Sequence, residues 1–371
     1  MGPGNAAAAQ PLAAAEGPPG ESEFELTLLG PGYGESIVLH IGGGDWLIVD
    51  SCVNAGGIPR AIEYLEGIGV DPGRQVKLIV ATHWHDDHVR GIAELFTRCE
   101  NARFCCAAAL RTGEFLAAVQ ALESRHLSVA GSGVREMFGV FSELRKRTNM
   151  ATFAQANRRI FSSGPCEIWS LSPSDAQYQS FVESVGTLVP VEGGGKRRVQ
   201  ASGPNSLSVV LWIRLGEAIV LLGADLEKPG WAEILKSRER PAEKASVFKI
   251  PHHGSRNAHE PGVWREMLDP APVAALTPWR RGGASLPGKE DAERILSLTE
   301  NAYASAGRDA ATSSGRKRVS AVERTIRESG ISLRHSAPPC GAVRLRRNRK
   351  GGAEWRATTL GAARHLREYF K

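Results

Sequence analysis

The segment Thr82-His83-Trp84-His85-Asp86-Asp87-His88 constrains this chain more than any other. It gathers three of the ten histidines within six positions, directly after the apolar, β-branched run Lys77-Leu78-Ile79-Val80-Ala81. That run reads as a short buried strand leaving a turn at Asp71-Pro72-Gly73. In extended chain His83 and His85 project to the same side, so they can share one metal ion. Asp87 and His88 fall on the turn into a helix expected over about 89–99 and point to a neighbouring position. Imidazole and carboxylate together suit zinc, manganese or iron without a thiolate. Trp84 and Asp86 occupy the variable positions and carry no metal role.

Two further strands end in groups that can bind a cation. Leu221-Leu222-Gly223-Ala224-Asp225 sets a carboxylate at the tip of an apolar strand, where it is costly unless it meets water or a cation. Asp225 is therefore a candidate to bridge two metals; a helix N-cap is the competing reading. Lys249-Ile250-Pro251-His252-His253-Gly254-Ser255 delivers two imidazoles to the end of another buried strand. One can complete a second metal position. The other can contact a phosphate oxygen or donate a proton to a leaving group.

Around these motifs the chain alternates strands and helices. Residues 24–28, 36–41 and 46–50 read as a β-meander with glycine turns, followed by a helix at about 58–68. A strand is expected at 101–107 and a mainly helical insert at about 110–160. Strands follow near 167–171, 207–214, 218–222, 247–250 and 273–276, then a helix at 290–299. Two β-rich halves with helices outside them predict an α/β fold, a four-layer αββα sandwich with a helical insertion. Residues 1–22, rich in Ala, Gly and Pro, read as a disordered leader. A single folded domain is expected over 23–349, with a basic C-terminal tail at 350–371.

Composition narrows the class. At 371 residues, 42% hydrophobic and 23% charged, the chain can bury a large core. A net charge of +6 permits an anionic substrate without demonstrating one. The six cysteines show no Cys-x-x-Cys spacing and read as reduced, mostly buried thiols of a cytoplasmic protein. No apolar stretch is long enough for a transmembrane helix, so no membrane association is expected.

The order of Asp50, His-x-His-x-Asp-His, Gly-x-Asp and His-His-Gly-Ser resembles the metallo-β-lactamase superfamily. In detail it is similar to the ComEC-type branch found in DNA-uptake proteins: Asn205-Ser206-Leu207, Gly223-Ala224-Asp225-Leu226-Glu227 (one residue longer here), Lys249 to Ser255, and a closing Gly341-Ala342-Val343-Arg344-Leu345. The resemblance implies two divalent metal ions, zinc or manganese. His83 and His85 would hold metal one. Asp87, His88 and His252 would hold metal two, with Asp225 bridging. Asp50 would orient the His loop from behind. Asp87 and His253 would be catalytic, and His253 and Ser255 would meet the substrate, with Asn205 on the same side.

Two departures stand out. Many members bring a further His to metal one from mid-chain, but no histidine lies between His126 and His252. Asp175, after the strand end at Ser172-Pro173-Ser174, is the candidate substitute; water or Asn205 are the alternatives. Where the branch shows an Asn and a His-Pro, this chain has Trp279-Arg280-Arg281. These residues could stack a base and clamp a phosphate, or form a loop around a half-buried Trp. The expected activity is a metal-dependent phosphodiesterase or nuclease acting on nucleic acid or a nucleotide. The alternatives are hydrolysis of a carbonyl ester, lactone or thioester, and a non-catalytic metal- and nucleic-acid-binding module.

Overall fold

The computed structural model describes residues 17–30, 33–108, 132–148, 150–186, 204–281, 284–307, 340–349 and 354–371. Its strands are β1 (Glu23–Gly30), β2 (Ser36–His40), β3 (Trp46–Val49), β4 (Val76–Ala81), β5 (Arg103–Ala107), β6 (Thr152–Ala154), β7 (Arg158–Ser163), β8 (Cys166–Ser170) and β9 (Leu211–Leu215). The second half of the chain adds β10 (Ala218–Leu222), β11 (Ala245–Lys249), β12 (Leu268–Leu276), β13 (Trp279–Arg281), β14 (Ala284–Leu286), β15 (Ala302–Ala304), β16 (Gly341–Asn348), β17 (Arg356–Gly361) and β18 (Arg364–His365). Among the described residues they form two eight-stranded sheets, β17-β16-β1-β2-β3-β4-β5-β6 and β18-β15-β12-β11-β10-β9-β8-β7, and a separate hairpin β13-β14.

The apolar runs explain the layering. Alternate residues of the central strands enter different cores, and both are apolar, as expected of strands covered on two faces. Ile37, Leu39, Leu78 and Val80 meet Leu211, Ile213, Val220 and Leu222 between the sheets. Val38, Ile79 and Ala81 face the other way, onto helices Arg60–Gly67, Ile92–Arg98 and Ser132–Lys146. Trp212, Ile219 and Leu221 face helices Lys228–Lys236, Pro261–Glu266 and Lys289–Leu298. The result is the αββα sandwich expected from the sequence.

Three sequence expectations change here. The end of the insert is β-structure: helix Ser132–Lys146 stops before β6 and β7, and Arg158 and Arg159 lie on β7. Residues 109–131 of the insert lie outside the described residues. The segment set apart as a basic tail belongs to the fold, because β17 extends the first sheet, β18 extends the second, and Leu366 and Tyr369 enter the outer core. Among its described residues Arg356, Arg367, Glu368 and Lys371 are exposed while Trp355, Leu360, Leu366 and Tyr369 are buried. Residues 1–16 of the expected leader lie outside the described residues, but Gly17 accepts a hydrogen bond from Arg346 (2.7 Å) and Ser22 one from the Arg349 amide (2.7 Å). No helix among the described residues is long and apolar enough to cross a membrane.

Candidate metal centre

The His loop leaves β4, runs extended through His83 and His85, and enters a short helix at Asp86–Val89. Asp50 lies at the end of the neighbouring parallel strand β3 and organises this loop from beneath. Its Oδ1 accepts the Thr82 amide at 2.7 Å, and its Oδ2 accepts both the Thr82 hydroxyl and His88 Nδ1 at 2.7 Å. With Nδ1 committed to Asp50, His88 presents Nε2 to Asp225. Asp225 at the end of β10 and His253 after β11 approach from the second sheet. His88 Nε2 lies 3.3 Å from Asp225 Oδ1; His253 Nε2 lies 3.4 Å from Asp87 Oδ2 and 3.5 Å from Asp225 Oδ2. His253 Nδ1 is held by the Thr277 carbonyl at 2.9 Å, so its Nε2 too is the free face of the ring.

Two overlapping groups of donors result, His83–His88–Asp225 and Asp87–His88–His253, each with ligand atoms within 4.8 Å of one another. His83 Nε2, His88 Nε2, His253 Nε2 and Asp225 Oδ1 are buried without hydrogen-bond partners. Buried polar atoms are almost always paired, so four convergent exceptions call for a shared partner. A divalent cation in each of the two donor groups would satisfy them, with imidazole and carboxylate donors of the right kind.

The electrostatics agree. Burial pushes the His83 and His85 imidazoles below their ordinary value, keeping lone pairs available. Burial would raise Asp87 and Asp225, but their histidine neighbours outweigh it and hold both carboxyls well below the usual range. Burial would lower His88, yet the Asp225 and Asp50 carboxylates beside it carry it well above its usual value. Backbone strain concentrates in the same place. Asp50 (φ 60°), Ala224 (φ 44°), His252 (φ 47°) and His253 (φ 55°) are all left-handed non-glycine residues. Each such residue costs on the order of 1–3 kcal/mol, which a surrounding structure tolerates where side-chain direction matters.

The family profile of the metallo-beta-lactamase superfamily matches residues 29–260. The chain belongs to that superfamily. No curated protein sequence matches it. Among solved structures, similar chains include the metallo-beta-lactamase fold protein YhfI from Bacillus subtilis, at 11% identity and a TM-score of 0.35, covering 75% of this chain and 95% of that one. A mutant of the CmlA beta-hydroxylase is 16% identical with a TM-score of 0.34, covering 63% of this chain and 36% of that one. Zn(2+)-bound PqqB from Methylobacterium extorquens is 11% identical with a TM-score of 0.34, covering 61% and 72%.

In this superfamily member the cleft beside the donors has a volume of about 460 Å³ and is lined by Trp84, His85, Val134, Asn205, His252 and Trp279, among others. His85 borders it, with its ring edge-on to His83 at 4.9 Å, outside the two tight donor groups. Asn205 Oδ1 is buried there without a hydrogen-bond partner. Trp279 tilts toward His253 with ring centroids 6.5 Å apart.

Several expected roles move. His253, not His252, stands with Asp87 and His88; His252 sits on the cleft wall with Nδ1 3.6 Å from Glu227. Successive left-handed residues turn the second ring inward and the first outward. Asp175 is exposed at the start of helix Asp175–Gly186, hydrogen-bonded to Gln155, and lines a different cleft, so it does not replace the missing mid-chain His. Ser255 lies past the turn and lines a small separate cleft with Trp231, Phe248 and Arg294 rather than the metal cleft. Arg280 turns away from the cleft onto Tyr369, donating to its hydroxyl at 2.9 Å. The side chain of Arg281 lies outside the described residues.

Two buried residues have no role assigned to them from the sequence. Glu35 and Lys249 form an ion pair at 2.7 Å, both nearly inaccessible. The signal for Lys249 was present, a lysine inside an apolar strand that ends in the His-His turn. Glu35 had no comparable mark.

Proposed function

We propose that the protein is a dinuclear metal-dependent phosphodiesterase, close in character to the ComEC-type branch and acting in the cytoplasm on a nucleotide or nucleic acid. The observation that carries the metal reading is the convergence of four unpartnered buried donor atoms from both sheets. His83, His85 and Asp225 would hold one ion, with the unpaired Oδ1 of Asn205 on the cleft wall a candidate to complete it; Asp87, His88, His253 and Asp225 would hold the other. Zinc or manganese there would supply Lewis acidity toward an ester and toward a water beside it. The chain's own residues do the rest. Asp50 and the Thr277 carbonyl fix the rings of His88 and His253 so that Nε2 faces the cleft. Trp84, braced by Phe181 at 5.5 Å, and Trp279 give the cleft aromatic walls on which a base or aryl group can rest. His252 places an imidazole at the wall, within reach of a bound ester oxygen.

One observation favours a second reading. Among the described residues, no Lys or Arg lines the cleft. A carbonyl ester, lactone or thioester would need no such countercharge. The deciding experiment reconstitutes the protein with Zn or Mn and measures hydrolysis of bis(p-nitrophenyl) phosphate beside a p-nitrophenyl carboxylic ester. The Asp87→Ala/His88→Ala variant serves as control, with metal content determined by mass spectrometry. Phosphodiester turnover lost in the variant is expected. Turnover of the carboxylic ester alone would select the second reading, and bound metal with no turnover of either would leave a binding module.

A further inference from the structure

Glu35 connects, directly or through one intervening side chain, to every ligand-bearing segment of the centre. Its amide donates to the Asp87 carbonyl at 2.8 Å, tying it to the His loop of the first sheet. One carboxylate oxygen takes the Lys249 ammonium at 2.7 Å, and that ammonium also donates to the Ala224 carbonyl at 3.0 Å and lies 3.9 Å from Asp225 Oδ1. The other oxygen accepts the Thr277 hydroxyl, and the Thr277 carbonyl holds His253 Nδ1. The next residue, Ser36, donates to the Asp50 carbonyl at 3.0 Å. Glu35 immediately precedes β2 of the first sheet, whereas Lys249 ends β11 and Asp225, His253 and Thr277 follow β10, β11 and β12 of the second. The donor groups are shared between the sheets, so their spacing depends on how the two halves are held together.

Glu35, Asp50 and His88 themselves bring donor atoms within 4.8 Å. They do not make a third cation site, because the Lys249 ammonium already supplies the positive charge at Glu35 and His88 Nδ1 is taken by Asp50. Nor is the pair explained as a source of stability. A buried ion pair is often replaceable by apolar residues without loss, so its worth lies elsewhere.

We infer that the Glu35–Lys249 pair is a positioning device that aligns Asp225 and His253 of one sheet with Asp87 and His88 of the other for metal uptake. The inference rests on the metal reading above. Glu35 and Lys249 touch no substrate; they act through the residues they hold.

The test compares wild type with Glu35→Gln, Lys249→Met and the double variant, by thermal unfolding in chelator and by affinity for Zn²⁺ alone in chelator competition. Each single variant leaves a buried charge unpaired and should lose stability. The double variant removes both charges and should recover much of that loss, while its Zn²⁺ affinity stays about ten- to a hundredfold below wild type, the range typical for groups that orient metal ligands. Thr277→Val, which keeps the side-chain shape and removes the hydroxyl that joins Glu35 to His253 Nδ1 (3.3 Å), should fold normally and bind Zn²⁺ several-fold more weakly. Wild-type Zn²⁺ affinity in either folded variant overturns the inference. Wild-type protein that takes up neither zinc nor manganese refutes the metal reading itself, and this inference falls with it.

Discussion

Replacing Asp50 by Asn tests whether the charge beneath the His loop sets the direction of His88. The Asp50 carboxylate accepts three hydrogen bonds, all at 2.7 Å: the Thr82 amide on Oδ1, and the Thr82 hydroxyl and His88 Nδ1 on Oδ2. An amide has one acceptor oxygen. If that oxygen stays at Oδ2, the new NH2 faces the Thr82 N–H; if it turns to Oδ1, the NH2 faces His88. With a charge-assisted bond contributing about 1.5–3 kcal/mol and an unpaired buried group costing about 1–3, the substitution should destabilise the protein by about 3–5 kcal/mol. His88 has one escape, which is to change tautomer and accept from the new NH2. Its Nε2 then carries the proton and points at Asp225 Oδ1, 3.3 Å away, so two ligand atoms satisfy each other and are lost to a metal. Either route has a cost, and they are separable. Chemical denaturation in chelator measures the first, and competition for Zn²⁺ measures the second, expected at about ten- to a hundredfold. An Asp50→Asn protein with wild-type stability and wild-type Zn²⁺ affinity would refute the reasoning.

Other consequences are simpler. Asp175→Ala should leave metal content and hydrolysis unchanged, since its carboxylate serves Gln155 in a separate cleft; a tenfold fall in Zn²⁺ affinity would return it to the site. Ile213→Ala, between the two sheets, should cost about 2–5 kcal/mol in denaturant unfolding with little change in metal binding, and a loss under about 1 kcal/mol would mean that the inter-sheet core collapses around the gap. Burial raises the thiols of Cys99, Cys105 and Cys166 from 9.0 to about 12. The folded state keeps these protons where the unfolded chain begins to release them, so the stability present below about pH 9 should fall as pH rises toward about 12. Denaturation midpoints that rise across that window would contradict the burial of these thiols.

Local features of the chain are read well from sequence. The His loop could be placed because a strand has a period of two, so the direction of His83 and His85 follows from their spacing and the apolar run before them. The apolar strands around Ile79, Ile213 and Val220 were legible for the same reason, and their lack of polar alternation already called for cover on both faces. Asp225 could be singled out because a carboxylate closing an apolar strand needs a partner. The choice between His252 and His253 was not legible, because it turns on two consecutive left-handed residues that no spacing rule announces. Arg280 looked like a phosphate clamp beside Trp279, but neighbours on a strand point to opposite faces, and its face met Tyr369. Residues 350–371 read as a basic tail because their apolar positions are few, though β17 and β18 join the sheet edges and Leu366 and Tyr369 join a core.

By itself, then, the sequence determined the sandwich, the strand ends that carry imidazole and carboxylate, and the kind of ion they suit. These depend on periodicity and on the cost of burying charge, which act over a few residues. Only the tertiary structure decided which donors meet and what holds them there. Glu35 and Thr277 lie 242 residues apart and touch because the two sheets close on each other. Such a contact depends on chain topology and on the packing between sheets, and neither leaves a local trace in the chain.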